Sequence, residues 1–386
     1  MWPRYVGFWP RSKSFLCSEG ERLKEKTYTS NSAEFGDAIS ISSGYATVIV
    51  PAYNPGKGLE HCLEALAQST YQHFDVLVVD DGSTESIKPP VERFGYQYLR
   101  IDGPVGPSRA RNLGVRETKS EFVVFIDADV CVHPDTIERM AQNFAKDKDL
   151  AAVIGTYDDS PADPGFLSQY RNMFHHYTHC QSAGQVTTFW SGCGAMRRDV
   201  FIKYGGFDEQ RYRCPAIEDI ELGTWVTADG GRIVLDQKIQ CKHLKRWSFS
   251  NMVKTDIFQR GIPWIDLMLR SGKVAKTLNV TGSQRLSVGL VFTACSLIVL
   301  AIWWPWALIG TAAAIIAVTL LNIKLYRFFV SRRGLWFAIK SLLLHWLYFS
   351  CCGISVIAGT VRFYVSGRRI TNRQGRSDTP EGRSTT

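Results

Sequence analysis

Every residue from Leu286 to Ile323 is uncharged and most are apolar, a run of 38 residues. As one α-helix it would extend about 57 Å, nearly double the roughly 30 Å hydrocarbon core of a bilayer. Two spans fit that length better than one. Trp303, Trp304, Pro305 and Trp306 mark the break, because proline interrupts a helix and indole rings favour the headgroup level. The run reads as a hairpin over 286–323. A further apolar stretch, Ser341 to Val361, carries His345 as its only ionisable group and suffices for a third segment.

Charge divides the chain near the same place. From Lys242 onward 20 Lys and Arg stand against four Asp and Glu, whereas residues 1–241 hold 25 against 32. Lys324, Arg327, Arg332 and Arg333 lie between the second and third apolar segments, and the segment Lys242 to Arg285, net +7, precedes the first. Basic segments mark the cytoplasmic side. The sequence therefore predicts an integral, multi-pass membrane protein with residues 1–285 in the cytoplasm. A third full span would carry Arg368, Arg369, Arg373 and Arg376 outside, against that rule, so a re-entrant or interfacial segment stays open.

Five parts follow. Residues 1–44, Ser-rich and without an apolar signal core, read as a poorly ordered arm. A folded domain covers 45–246 and an amphipathic interfacial segment 247–285. The membrane region covers 286–365, and 366–386 form a basic disordered tail. In the interfacial segment Trp247, Phe249, Met252, Val253, Ile257 and Phe258 recur at helical spacing, as at a membrane surface. Its charge favours anionic membrane lipid or a phosphorylated acceptor over nucleic acid, for which no binding motif is present. The ten cysteines show no CxxC spacing, hence neither a zinc framework nor a disulfide scaffold.

From Tyr45 the chain alternates β-rich and helical runs. Strands are expected at Thr47–Val50, Phe74–Val79, Tyr96–Ile101, Glu121–Ile126 and Ala151–Gly155. Helices are expected at Leu59–Gln68, Pro89–Phe94, Ser108–Glu117, Pro134 to about Ala145, and Phe166–His179. Continuous Val/Ile strands imply a mainly parallel sheet covered by helices, an α/β fold whose ligands bind beyond the carboxyl ends of the strands. Those ends are Pro51–Asn54, Asp80–Thr84 and Asp127–Asp129.

Acids mark the ends. Asp127 and Asp129 stand two residues apart where a buried strand emerges, and hard oxygen ligands so placed can hold Mg²⁺ or Mn²⁺ against a diphosphate. Capping of the next helix is the plainer alternative. Asp80 and Asp81 in VVDDGS can accept from a nucleobase or ribose, or can form a simple Asp-Gly turn. His175 and His179 have i, i+4 spacing without a third zinc ligand and read as helix surface.

With Thr47–Asn54, VVDDGS and the Asp-x-Asp run in this order, the sequence resembles the family 2 glycosyltransferases from about Thr47 to Trp264. It resembles in particular membrane-anchored members that transfer sugars to polyprenyl-phosphate or other lipid-linked acceptors. The resemblance implies a GT-A nucleotide-sugar-binding domain followed by C-terminal transmembrane helices. It assigns Pro51, Ala52, Tyr53, Asp80, Asp81, Arg111 and Asp127 to the donor, and Asp127 and Asp129 to Mg²⁺ or Mn²⁺. His243 lies where some relatives supply a histidine near the metal. Gly205–Glu209 and Ile217–Leu222 are similar to the GGFDE and ED elements, which makes Asp219 the base for the acceptor hydroxyl and Glu218 the fallback.

The segment Gln259 to Trp264 is similar to the QxxRW element of processive synthases, but Pro263 stands where the arginine belongs. The implied reaction is inverting, metal-dependent transfer of one sugar from a UDP-sugar or GDP-sugar to a lipid, lipid-linked or saccharide acceptor at the cytoplasmic membrane face. The alternatives are a processive polysaccharide synthase, a membrane-anchored nucleotidyltransferase and a non-catalytic nucleotide-sugar-binding protein.

Overall fold

The computed structural model describes residues 46–272 and 281–365. The arm 1–44, the part of the interfacial segment at 273–280 and the tail 366–386 lie outside the described residues.

The chain opens with β1 (Ala46–Ala52), α1 (Gly58–Ala67), β2 (Phe74–Asp80), α2 (Lys88–Arg93), β3 (Gln97–Arg100), α3 (Pro107–Arg116) and β4 (Phe122–Ile126). Then come β5 (Val130–Val132), α4 (Thr136–Lys146), β6 (Leu150–Tyr157), α5 (Phe166–Gln181), β7 (Gly184–Val186), β8 (Cys193–Arg197), α6 (Arg198–Lys203), α7 (Glu218–Ala228) and β9 (Arg232–His243). Helix α8 (Phe249–Lys254) runs into a π-helical turn, Thr255–Gly261, and α9 (Ile262–Ser271). The apolar region holds α10 (Gly282–Leu300), α11 (Ala307–Leu321), α12 (Ile323–Arg333) and α13 (Leu335–Val365).

The strands form one sheet ordered β3-β2-β1-β4-β8-β6-β9-β5, with β7 paired to β9. The first four are parallel, which follows from their helical crossovers. Successive side chains in β1 point to opposite faces: Val48 and Val50 join Leu63, Phe122 and Val124, while Ile49 joins Leu77 and Phe125 on the other side. A strand with two buried faces needs an unbroken apolar run. Each such fully buried side chain contributes about 1.5–3 kcal/mol.

The second half of the sheet departs from the expected pattern. β8 lies antiparallel between β4 and β6, and β9 runs 12 residues, parallel to β6 and antiparallel to β5 and β7. Register shifts where β6 pairs with β9 let Asp236, Gln237 and Lys238 sit mid-strand.

The expected break at Trp303–Trp306 separates α10 from α11, with Trp303, Trp304 and Trp306 exposed. The second arm of the expected hairpin is short. Its 15 residues cover about 22 Å before a 65° bend into α12. At the bend Asn322 donates to Ser287 Oγ (3.0 Å) and accepts from Gln284 (3.1 Å). The third apolar segment is a single 31-residue helix, longer than the apolar run because Lys340 lies over the Phe166 ring (4.7 Å) and Arg362 joins the last turn. By length and hydropathy α10 and α13 suit membrane crossing, and the bent pair α11 and α12 makes a third candidate.

Helix α5 joins the sheet to this region. Tyr170, Met173 and Phe174 pack with Leu325, Tyr326 and Phe329, and with Trp247 and Met252. The expected apolar face of the interfacial segment is therefore divided: Trp247 and Met252 are buried in that seat, while Phe249 and Phe258 are exposed.

Candidate active site

The loops after β1 and β2 are tied together. Asn54 N–H donates to Ser83 Oγ (3.0 Å), and Thr84 N–H donates to Asn54 Oδ1 (2.9 Å). Gly82 has φ +77°, and a Cβ there would fall 2.8 Å from Gly103 backbone, so only glycine fits the turn. Ala52 is buried, and Pro51 and Tyr53 are half-buried beside it.

Asp80 is fully buried and accepts from Ser83 N–H (2.8 Å), Tyr98 Oη (2.7 Å) and Arg100 (2.7 Å). Burial works to raise its carboxyl, but Tyr98, Ser83 and Arg100 hold it below the ordinary aspartate range. Asp81 accepts from Val105 N–H (2.9 Å) and Gly106 N–H (2.8 Å), yet burial, with Asp80 adding, keeps its carboxyl raised. Both acids thus fix the backbone of the loop after β2.

A depressed folded pKa means that the charged form of Asp80 stabilises the fold above the unfolded value of about 3.9, and that this is lost as pH falls through the folded value. Asp80→Asn should cost about 1.5–3 kcal/mol at neutral pH, the worth of charge-assisted bonds. The gap from wild type should close at acid pH. Denaturant unfolding of the detergent-solubilised protein at both pH values checks this, and a gap independent of pH would contradict it.

Beyond β4 the chain turns at Asp127, whose backbone carbonyl accepts from Val130 N–H (2.9 Å). β5 then pairs with the end of β9, setting Val130 opposite His243, and Leu244 N–H donates to Asp129 O (2.9 Å). This register brings His243 Nε2 to 3.5 Å from Asp129 Oδ2. The His243 ring stacks on Tyr157 at 4.4 Å and 6°. Burial works to raise Asp129, but His243 and then Lys245 outweigh it and hold the carboxylate low. Asp127 is raised by burial, with Asp129 adding to the effect and Arg111 opposing it.

Asp129 and His243 fit a divalent ion as an oxygen and a nitrogen donor on the open side of one pair, since Asp129 is 43% exposed. Among the described residues no three His, Cys, Asp or Glu side chains converge. That donor set suits Mg²⁺ or Mn²⁺, which take one or two protein ligands and complete their shell with phosphate and water.

Asp127 is tied elsewhere. Buried Arg111 donates to Asp127 Oδ1 (2.6 Å) and to Glu218 Oε1 (3.0 Å), with Phe207 against its guanidinium (5.8 Å). One side chain thus joins the end of β4 to the start of α7. Glu218 is 5% exposed, its second oxygen accepts from Ala216 N–H (3.0 Å), and burial raises its carboxyl. Asp219 is half-buried and accepts from Ser191 N–H (2.9 Å) and Ser191 Oγ (3.0 Å). Glu218 is committed to Arg111, whereas Asp219 keeps an open side.

Three neighbours stand where the sequence did not place them. His175 and His179, expected on a helix surface, are enclosed: their rings lie 4.9 and 5.3 Å from Trp190, and His175 lies 4.5 Å from Tyr157. The cause is α5 turning that face toward β6 rather than solvent. Burial lowers His179 to about 4 and His175 well below the usual range, so the pair forms a neutral aromatic wall. Ser191 is absent from the sequence reading, because nothing local marks it as the partner of Asp219.

The family model described as Glycosyl transferase family 2 matches residues 47–205, from β1 through the Asp127–Asp129 turn to the glycines after α6. Residues 47–205 form a glycosyltransferase family 2 domain. A relative of this domain, glycosyltransferase GlyG of Streptococcus pneumoniae, is 34% identical over 116 residues, 29% of this chain and 38% of that protein. An uncharacterized glycosyltransferase of Haemophilus influenzae is 26% identical over 174 residues, 42% of this chain and 55% of that one. The chain thus spans between 38% and 55% of the length of these curated relatives. The solved structure of a mannosyltransferase from Pyrobaculum calidifontis in complex with GDP-Man and Mn²⁺ superposes with TM-score 0.50 at 19% identity, covering 84% of this chain and 88% of that one. The shared architecture is the GT-A fold.

Proposed function

We propose that this protein is an inverting, metal-dependent glycosyltransferase that moves one sugar from a UDP-sugar or GDP-sugar to a lipid or lipid-linked acceptor at the cytoplasmic membrane face. The observation that carries the reading is the bridge through Arg111, which sets the Asp127–Asp129 turn beside the Glu218–Asp219 pair. That juxtaposition supports a site in which one acid serves the donor and another the acceptor.

In this reading the β1 and β2 loops seat the nucleoside, and Asp129 and His243, with Asp127 alongside, hold Mg²⁺ or Mn²⁺. The bound ion supplies a Lewis acid for the leaving diphosphate. Asp219 takes the acceptor hydroxyl proton as the oxygen bonds the anomeric carbon, and the diphosphate leaves from the opposite face. Ser191 holds the Asp219 carboxylate in place, and Arg111 keeps Glu218 from competing for the proton. In a multi-pass arrangement α10, the bent pair and α13 anchor the site at the bilayer, which favours an acceptor that partitions there.

Purified full-length protein in detergent, given a panel of nucleotide sugars and total lipid extract, should move labelled sugar into the lipid phase. Label confined to water-soluble product would overturn the lipid acceptor.

A further inference from the structure

The first turn of α7 carries three acids, Glu218, Asp219 and Glu221, and Ile217, which precedes it, has no side-chain cap to offer. Like charges three residues apart on a helix repel, and an uncapped turn leaves its amides unsatisfied unless neighbours hold it. Two of the three acids have a buried arginine. Arg111 takes Glu218, and Arg270 of α9 takes Glu221 with both terminal nitrogens, at 3.3 and 3.2 Å. Asp219 forms no ion pair among the described residues, and its carboxylate rests on Ser191.

The pair on α9 is the centre of a closed network. Glu221 and Arg270 are 4% and 3% exposed. Glu221 also accepts from Tyr212 Oη and from Trp225 Nε1 (3.3 Å), and Arg270 Nε donates to Asp266 Oδ2 (2.9 Å), one turn earlier on α9. Arg211 reaches the same Asp266 oxygen at 3.5 Å. Burial works to raise Glu221, but Arg270 and then Tyr212 outweigh it and hold its carboxyl low. Tyr212, Ile217 and Leu267 form an apolar cluster of their own, so α7 and α9 are already sealed together. A buried ion pair is a poor source of stability, because its desolvation cost rivals its attraction. What two parallel N–H to carboxylate bonds supply is direction.

That direction matters for the neighbouring acid. Glu221 follows Asp219 by two residues, about 200° around the helix, so the two leave α7 on opposite sides. Asp219 faces Ser191 and Glu221 faces α9. Helix α9 is itself seated on α13, where a Cβ at Gly359 would fall 2.7 Å from Ile265 Cβ. We propose that Arg270, acting through Glu221, is a positioning residue for Asp219: the pair fixes the first turn of α7 from the side opposite Ser191 and so sets the angle of the base. The inference rests on the transferase reading above and deepens it. It makes a helix resting on the apolar region part of the proton-transfer geometry.

The test uses the purified full chain in detergent, the nucleotide sugar and lipid extract that support turnover, titration with UDP and Mn²⁺, and circular dichroism for the fold. Arg270→Gln should lower kcat about 10- to 100-fold, as a misplaced catalytic group does, while KM for the nucleotide sugar and UDP affinity stay within about twofold. Arg270→Lys keeps the charge without the fork and should retain part of the rate. Tyr212→Phe removes one bond to Glu221, leaves the ring in its apolar seat, and should lose a smaller factor. In the Asp219→Asn background both Arg270→Gln and Tyr212→Phe should lower kcat no further, because a residue that acts through the base has no effect once the base is gone. A merely structural residue would lower it by the same factor in both backgrounds. Three results would overturn the proposal: unchanged kcat in folded Arg270→Gln, equal losses with and without Asp219, or a parallel loss of UDP affinity. Should Arg270→Gln not fold, Tyr212→Phe carries the same comparison, and unchanged or additive rates there overturn the proposal as well. Wild-type turnover in Asp219→Asn would remove the base assignment together with this inference. A slow Asp219→Asn with additive losses would remove this inference alone.

Discussion

Asp219→Asn should lower turnover by about 10² to 10⁴-fold, the range of a lost general base, with affinity for the nucleotide diphosphate nearly unchanged. The amide preserves the shape of the side chain and its oxygen still accepts from Ser191, so the start of α7 keeps its place. What disappears is the ability to take a proton. Glu218 cannot substitute, because Arg111 and Ala216 N–H hold it and it is enclosed. The separation of rate from binding is decisive, since Asp219 does not touch the Asp129–His243 edge. Stopped-flow turnover and equilibrium titration with UDP read the two quantities independently. A collapse of UDP affinity together with the rate would move Asp219 into the donor site.

Asp129→Asn should abolish divalent-dependent nucleotide binding while the fold persists. Asp129 is 43% exposed and its backbone carbonyl, rather than its side chain, holds Leu244. The substitution therefore leaves the β5–β9 register intact and removes the one hard oxygen donor of the Asp129–His243 pair. Amide oxygens are weak ligands beside a carboxylate, and with so few protein donors the loss is not compensated. Calorimetry with UDP and Mn²⁺ in wild type and variant, beside circular dichroism for the fold, reads both halves. Unchanged Mn²⁺-dependent binding in the variant would remove the metal assignment.

The parallel half of the sheet was legible because its strands are buried on both faces. A continuous run such as Thr47–Val50 or Phe122–Ile126 has no other stable use, and the boundaries agree within a few residues. The second half was not. β8 reads Cys-Gly-Ala-Met-Arg, with Gly194 admitted only because Trp190 O lies where a Cβ would go, at 2.4 Å. A strand chosen for close backbone approach carries little β-propensity. β9 hides its length behind three polar residues that a register shift accommodates.

Site residues divide similarly. Asp80, Asp81, Asp127 and Asp129 announce themselves as acids at strand ends, and parallel pairing is enough to gather them. The bridge from Arg111 to Glu218 spans 107 residues, and its pairing exists only after the fold closes. His175 and His179 mislead for the opposite reason, since polar rings at helical spacing look like surface until a tryptophan covers them.

The central claim, glycosyl transfer from a nucleotide sugar with a divalent ion at Asp129, is tested most directly by measuring nucleoside diphosphate and pyrophosphate released in the same reaction, with Mn²⁺ and with chelator. Nucleoside diphosphate equal in amount to the sugar transferred, and none with chelator, is the expected result. Release of pyrophosphate, or chelator-resistant transfer, would contradict it.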